Sequence, residues 1–404
     1  MNSFIKNNAI IATLLMGLGG AHTTMAAYVA ITPPGGKQCS VSGINNGGVV
    51  VGNCSTGSIT IPNSPWVALT PATPVLLPRL APSQPCSVGA ISNAGWIVGK
   101  CGAPDGADYA VVWDANDLPS GILKLFPRPG LIGLFPDVST VPSAINQRGG
   151  VLGSSINRSG VSTVVLWGAG QSNARDVSSP GDNCRGVDLT YTLVNSRPVV
   201  ATSCPDANGT MIGKIAQHNG LLYVSTPLPK PAGALTCIAT SINDALQVVG
   251  GCKYSTAPFS RAAFWATPTS TPTLVPTLSG NSVSIASQLN NAAQAVVDYT
   301  DTDGNGSTAV WNITAGTVNL VPAFTVGVGS SGVALADNGN LLVQGANSGT
   351  FTESATWDIS NGLQSFGFYS GGKNAMIGVI SQDGTKIAGT VEDSAQTYTA
   401  VMTQ

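Results

Sequence analysis

The sequence predicts an all-β protein, a closed β-propeller of about eight four-stranded blades. Three observations carry this. A unit of roughly 47 residues recurs along the chain. Helix-forming patterns are missing: the chain has two glutamates, Glu353 and Glu392, and no long segment repeats its apolar residues every 3.6 positions. The eight cysteines fall into four pairs, each inside one copy of the unit. Short runs of Val, Ile, Thr and Leu broken by Gly, Pro and Asn are the pattern of strands joined by tight turns.

The first element is an export signal over residues 1–26. Lys6 precedes an apolar run from Ala9 to Gly20 and a small-residue site ending Thr24-Met25-Ala26. That run is too short to cross a bilayer, so cleavage after Ala26 is expected, leaving residues 27–404 as a single soluble, secreted repeat domain with no membrane span. The next element, Tyr28-Val29-Ala30-Ile31-Thr32-Pro33, resembles the fourth-strand segment Tyr223-Val224-Ser225-Thr226-Pro227. Because the last copy stops at Thr399-Ala400-Val401-Met402 with no fourth strand, the N-terminal strand is expected to complete it and close the ring.

Each copy opens with a hairpin. The clearest are Ile44-Asn45-Asn46-Gly47-Gly48-Val49-Val50-Val51-Gly52 and those beginning at Ile91, Ile145 and Ile242; weaker ones begin at Leu289, Leu335 and Ile380, and a divergent one lies between Cys184 and Cys204. An apolar run, an Asn/Asp/Gly turn and a second apolar run are the signature of two antiparallel strands. Most copies add a third strand ending in tryptophan, at 113, 167, 265, 311 and 357, and then a short apolar segment such as Leu274-Val275-Pro276. The recurrent tryptophans read as packing between blades. Trp96 stands elsewhere in its copy and could be packing or ligand contact.

Cys39 with Cys54, Cys86 with Cys101, and Cys237 with Cys252 are fifteen apart and Cys184 with Cys204 twenty apart. In a hairpin turning at Asn46-Gly47, Cys39 and Cys54 stand opposite, so four bridges within hairpins are expected, as suits an exported chain. A closed loop of this size adds about 3 kcal/mol in the chain-entropy model. Redox or zinc chemistry would call for CxxC spacing or neighbouring histidines, and neither occurs.

The elements I-N-x-x-G-x-V-V-G and A-F-x-W, spaced as here, resemble the bacterial HAF extracellular repeat family over nearly the whole chain after residue 26. Arg261-Ala262-Ala263-Phe264-Trp265 keeps the apolar part of the eponymous His-Ala-Phe; no copy has the histidine. The resemblance implies an exported bacterial repeat protein and carries no catalytic residues.

Charged residues are 9% of the chain, the formal net charge is −2, and no run of cations occurs, so nucleic acid and anionic membranes are set aside as partners. Beyond the signal, His218 is the one histidine and reads as part of a turn with Asn219 and Gly220. Asp301, Asp303, Asn305 and Ser307 space oxygens around Gly304 and Gly306 as a calcium loop does, though Asn312 stands where a bidentate acid is expected. A polar hairpin loop is the competing reading, and no cofactor is required. Asp105, Asp108, Asp206, Asp301, Asp303, Glu353, Glu392 and Asp393 lie mainly in loops between second and third strands, which a propeller gathers on one face. An apolar insertion, Leu131 to Pro136, reads as a partner-binding hook or a loop folded back on the ring. The expected function is a monomeric binding or surface-interaction module for a protein or glycan, with exposed Tyr109, Tyr254 and Phe259 as contacts. The alternative is a secreted hydrolase or lyase using loop carboxylates.

Overall fold

The computed structural model describes residues 28–34, 38–55, 64–130, 136–276, 283–324, 329–346, 351–394 and 398–403. The signal segment and Leu131 to Phe135 of the apolar insertion lie outside these residues. Eight four-stranded antiparallel sheets form a ring, a β-propeller. Blades 1 to 7 start at Gln38, Cys86, Ser139, Arg185, Ala234, Val283 and Ser330, and each runs outward in chain order from its first strand to its fourth. Blade 8 takes three strands from the C-terminal end and its outermost from Tyr28–Ile31, which pairs with the last strand through Tyr28 opposite Thr403 and Ile31 opposite Ala400. The expected closure is therefore present, and it covers the edge the last blade would otherwise expose.

All eight blades carry a bulge between their first two strands, at Val41/Gly43, Val88/Ala90 and Ala239/Ser241 among others. The bulge explains the glycine that ends the hairpin motif. A Cβ on Gly52, Gly99 or Gly250 would lie 2.0, 2.2 or 1.9 Å from the carbonyl oxygen of Ser40, Ser87 or Ile238. In blades 4 and 7 the glycine has moved to the first strand, as Gly186 opposite Thr202 and Gly332 opposite Val343. One partner of the bulged pair must be small, and either strand can supply it.

The tryptophans pack between blades as expected. Trp113, Trp167 and Trp265 are buried, and each indole N–H donates to a carbonyl of the preceding blade or the connection after it, Pro78, Phe126 and Pro229, at 2.9, 3.0 and 2.8 Å. Trp96 belongs to the same system, lying where a Cβ on Gly149 or Gly170 of blade 3 would stand 2.1 or 3.2 Å from its ring. The motif asparagine is a second stitch. Asn243 Oδ1 accepts the amides of Ala245 and Gln247 and holds the turn, while its Nδ2 donates to Asn290 O of the next blade at 3.1 Å. Asn45, Asn146 and Asn290 repeat the donation to Ser92, Thr190 and Ala336.

All four expected disulfides are formed, with Cys39, Cys86 and Cys237 directly opposite their partners in the strand register. Four bridges and no free thiol among the described residues mark a chain of an oxidising compartment. No helix among the described residues is long and apolar enough to cross a membrane.

Candidate functional site

In each blade the connections between second and third strands share one face of the ring with the links to the next blade, and the two remaining turns share the other. The acids expected to line the first face are held separately. Asp108 pairs with Lys100 at 2.8 Å, Asp105 accepts the Tyr109 hydroxyl at 2.9 Å, and Asp206 caps its own loop through the amides of Asn208 and Thr210. Glu353 accepts Ser365 Oγ and Glu392 accepts Asn374 Nδ2. Asp301 behaves like Asp206: Oδ1 accepts the amides of Asp303 and Asn305, and Oδ2 accepts Asn305 Nδ2 at 3.0 Å. These hydrogen bonds hold its carboxyl below the usual carboxylate range. Asn157 caps its loop in the same way without any ligand-like spacing, so this loop conformation needs no ion.

Two of the three expected aromatic contacts are not surface groups. Tyr109 is 7% exposed, covered by Lys124 Nζ at 3.3 Å from its ring centre, and Tyr254 is half-buried with its hydroxyl enclosed. Tyr109 is held within its own blade, and Tyr254 packs against the apolar core shared by blades 4 and 5. Phe259 is exposed, at 60%.

A cleft of about 1100 Å³ lies elsewhere, on the rim between blades 3 and 4. Its wall gathers Arg128, Arg158, Arg175 and Arg197, half of the chain's eight arginines, against two carboxylates, Asp137 and Asp176. Sequence reading found no basic cluster, and along the chain there is none; the ring assembles one from four separate elements. Arg158 sits in the loop after the second strand of blade 3, Val151–Ile156, and Arg175 on its two-residue outer strand, Arg175–Asp176. Arg197 opens the second strand of blade 4, Arg197–Pro205. Arg128 lies in the link between blades 2 and 3.

The four cations are not equivalent. Arg128 is largely buried and engaged, with Nε 2.6 Å from Asp176 Oδ1 and a terminal nitrogen 3.7 Å from Asp137 Oδ2. Asp137 also accepts Ser155 Oγ at 2.7 Å, and its amide donates to Arg128 O, so this pair clamps the base of the apolar insertion. Among the described residues Arg158, Arg175 and Arg197 have no carboxylate partner. The cleft thus carries an excess of positive charge on a chain whose net charge is −2.

His218 also lines this cleft. It is the last residue of a strand, Met211–His218, paired with Tyr223, rather than part of the turn that follows. Its ring packs edge-on against Tyr223 at 5.3 Å, and Nδ1 accepts the Gly220 amide, which leaves Nε2 to carry the proton of the neutral ring. Burial pushes the Tyr223 phenol far above its ordinary range, against the opposing fields of Arg197 and Arg175. Its hydroxyl donates to Pro198 O at 2.9 Å, so Tyr223 is a wall and not a proton acceptor. Leu221 and Leu222, on the adjoining turn, are 85% and 53% exposed. No sequence signal marks this convergence, because its residues become neighbours only when blades 3 and 4 dock.

Among the described residues one set of three thiol or carboxylate ligands lies within metal-binding distance, Asp182 with Cys184 and Cys204, but the two sulfurs are bonded to each other.

No family model matches the chain, and no curated protein matches it. Solved structures match in fold. A structure from a study of two prolyl endopeptidases aligns at a TM-score of 0.55 and 15% identity over 89% of this chain and 55% of its own. A post-proline cleaving enzyme from Rickettsia typhi aligns at 0.53 and 11% identity over 89% of this chain and 58% of its own. The chain spans little more than half the length of either, and at this identity the likeness is one of propeller architecture.

Proposed function

We propose that this chain is an exported propeller, of the bacterial type its HAF-like motif suggests, that acts as a monomeric binding or surface-interaction module and holds an anionic ligand in the rim cleft between blades 3 and 4. One observation carries the reading: three guanidiniums without carboxylate partners, Arg158, Arg175 and Arg197, line one concave surface of a chain with few charges. A planar fork of N–H donors matches carboxylate, sulfate and phosphate oxygens. A local excess of positive charge raises the concentration of anions at the cleft, an effect that added salt weakens.

The alternative, a hydrolase or lyase, is favoured by His218, Asp137 and Asp176 sharing the cleft. Against it, Arg128 contacts both carboxylates, so neither is free to act as a general acid or base beside a substrate. The test is calorimetric titration of dextran sulfate, polygalacturonate, polyglutamate and neutral dextran into the full chain and a triple Arg158→Ala, Arg175→Ala, Arg197→Ala variant. We expect at least one polyanion to bind, neutral dextran not to, and the variant to fold normally and bind about a hundredfold more weakly. Equal binding by both proteins would sink the assignment. Turnover of polygalacturonate that disappears in His218→Ala would favour the enzyme.

A further inference from the structure

We infer that the ligand of this cleft is an acidic polysaccharide lying extended across the rim of the ring, an assignment that rests on the anion-binding reading above. The groove crosses the rim from one face of the ring toward the other. Arg158 and Ser159 belong to a loop on one face of the ring, whereas Arg197, opening its strand, and Leu221, on a turn, lie at the opposite face. Between those faces runs the six-residue second strand of blade 3, Val151–Ile156, which corresponds to about 20 Å. Arg175, level with Leu166 on the outer strand, stands toward the Arg197 end. A single small anion cannot reach guanidiniums placed at both ends, but a chain with charges repeated along it can.

The lining of the groove suits a glycan better than a polypeptide. Capture of an extended peptide by main-chain pairing needs an open strand edge several residues long. At this cleft blade 3 offers none, its outer strand having two residues with the third strand covered beyond it, and the five-residue outer strand of blade 4, Tyr223–Pro227, lines the cleft only at Tyr223, which is already paired with His218. The amides of Val177 and Ser178 donate to Val164 O, the Asn183 amide to Ser162 O, and Val164 N to Ser178 Oγ. What the groove presents instead is side-chain donors. Besides the guanidiniums these are Asn157 Nδ2, whose own Oδ1 is engaged in its loop, and Ser159 Oγ. Oxyanions for the arginines and hydroxyls for the neutral donors are together the groups of an acidic sugar chain. The exposed Leu221 and Leu222 at the far end offer a surface for the C–H faces of sugar rings.

The experiment titrates galacturonate monomer, trimer and hexamer into the full chain. Hexamers that are fully methyl-esterified, sulfated dextran of the same length, and polyglutamate of the same length are run beside them. The expected result is affinity at least tenfold higher for hexamer than for monomer, lost on esterification, and at least tenfold above polyglutamate. Arg158→Ala should weaken the hexamer about tenfold. Binding by sulfated dextran alone supports the assignment and identifies sulfate as the oxyanion. Equal affinity for monomer and hexamer, or for polyglutamate and hexamer, overturns the extended polysaccharide while leaving an anion-binding cleft. Absence of binding by every polyanion overturns both.

Discussion

Single residues in this protein are constrained mostly by neighbouring backbone. Gly52 and its counterparts are glycine because a first-strand carbonyl occupies the space a Cβ would take, and Gly149 because φ is +85° and Trp96 fills its open side. Asp188 is the exception that titrates. It accepts Ser241 Oγ at 2.8 Å and the Ile242 amide at 3.1 Å across the interface between blades 4 and 5. Desolvation raises its pKa, with a further rise from Asp244, and the hydrogen bonds from Ile242, Ser241 and Leu189 oppose this. The folded state therefore keeps a proton at Asp188 where the unfolded chain has lost it. By linkage, this contribution is complete below the unfolded carboxylate value of about 3.9 and declines as pH rises from there through the folded pKa. Urea unfolding of wild type and Asp188→Asn between pH 3.5 and 7 should show that decline in wild type only. Parallel curves would mean that Asp188 ionises in the fold as it does in water.

At the scale of elements, one hairpin design is reused and varied. An asparagine at the start of the turn does two things: its oxygen shapes the turn and its amide reaches the next blade. Serine at the same place keeps the first alone, as Ser92 Oγ accepting the Trp96 amide and Ser381 Oγ accepting that of Lys386 show. Asn243→Ala should lower unfolding free energy by about 2 to 3 kcal/mol, since the buried Asn290 carbonyl and two turn amides lose a partner. Asn243→Ser should lose about half of that. Chemical denaturation of the three proteins checks both, and an Asn243→Ser variant as unstable as Asn243→Ala would show that the inter-blade bond outweighs the turn. The repeat unit, its hairpins and its disulfide pairs were legible along the chain because each depends on residues within one copy. The bulge was not, since a bulge is a property of two strands in register, although the glycine it demands was visible in every strong copy.

For the whole molecule, closure is the decisive event. Tyr28–Ile31 pairs with residues at the other end of the chain, and the Tyr28 hydroxyl donates to Gly367 O of the link between blades 7 and 8 at 3.0 Å. Deleting Tyr28 to Ile31 should expose the edge of the last strand, lower Tm by several degrees and promote self-association, measured by thermal unfolding with light scattering. A monodisperse deletion variant with unchanged Tm would mean that contacts between blades hold the ring without that strand. Ring formation also creates the candidate site. Arg158, Arg175 and Arg197 are 17 and 22 residues apart with no shared motif, so a search for local charge runs passes over them.

The sequence by itself determined the all-β class, the repeat, the disulfide pairing and the closing strand, because each follows from turn chemistry, strand periodicity or pairing within a single unit. Only the tertiary structure decided which surface could bind a ligand. Asp105, Asp108, Asp206 and Tyr109, which stand out in the sequence, are satisfied within their own blades. The unpaired arginines meet across an interface between two blades. Local interactions are short in sequence and can be read from it, whereas a charge cluster shared by two blades exists only once the ring has brought its parts together.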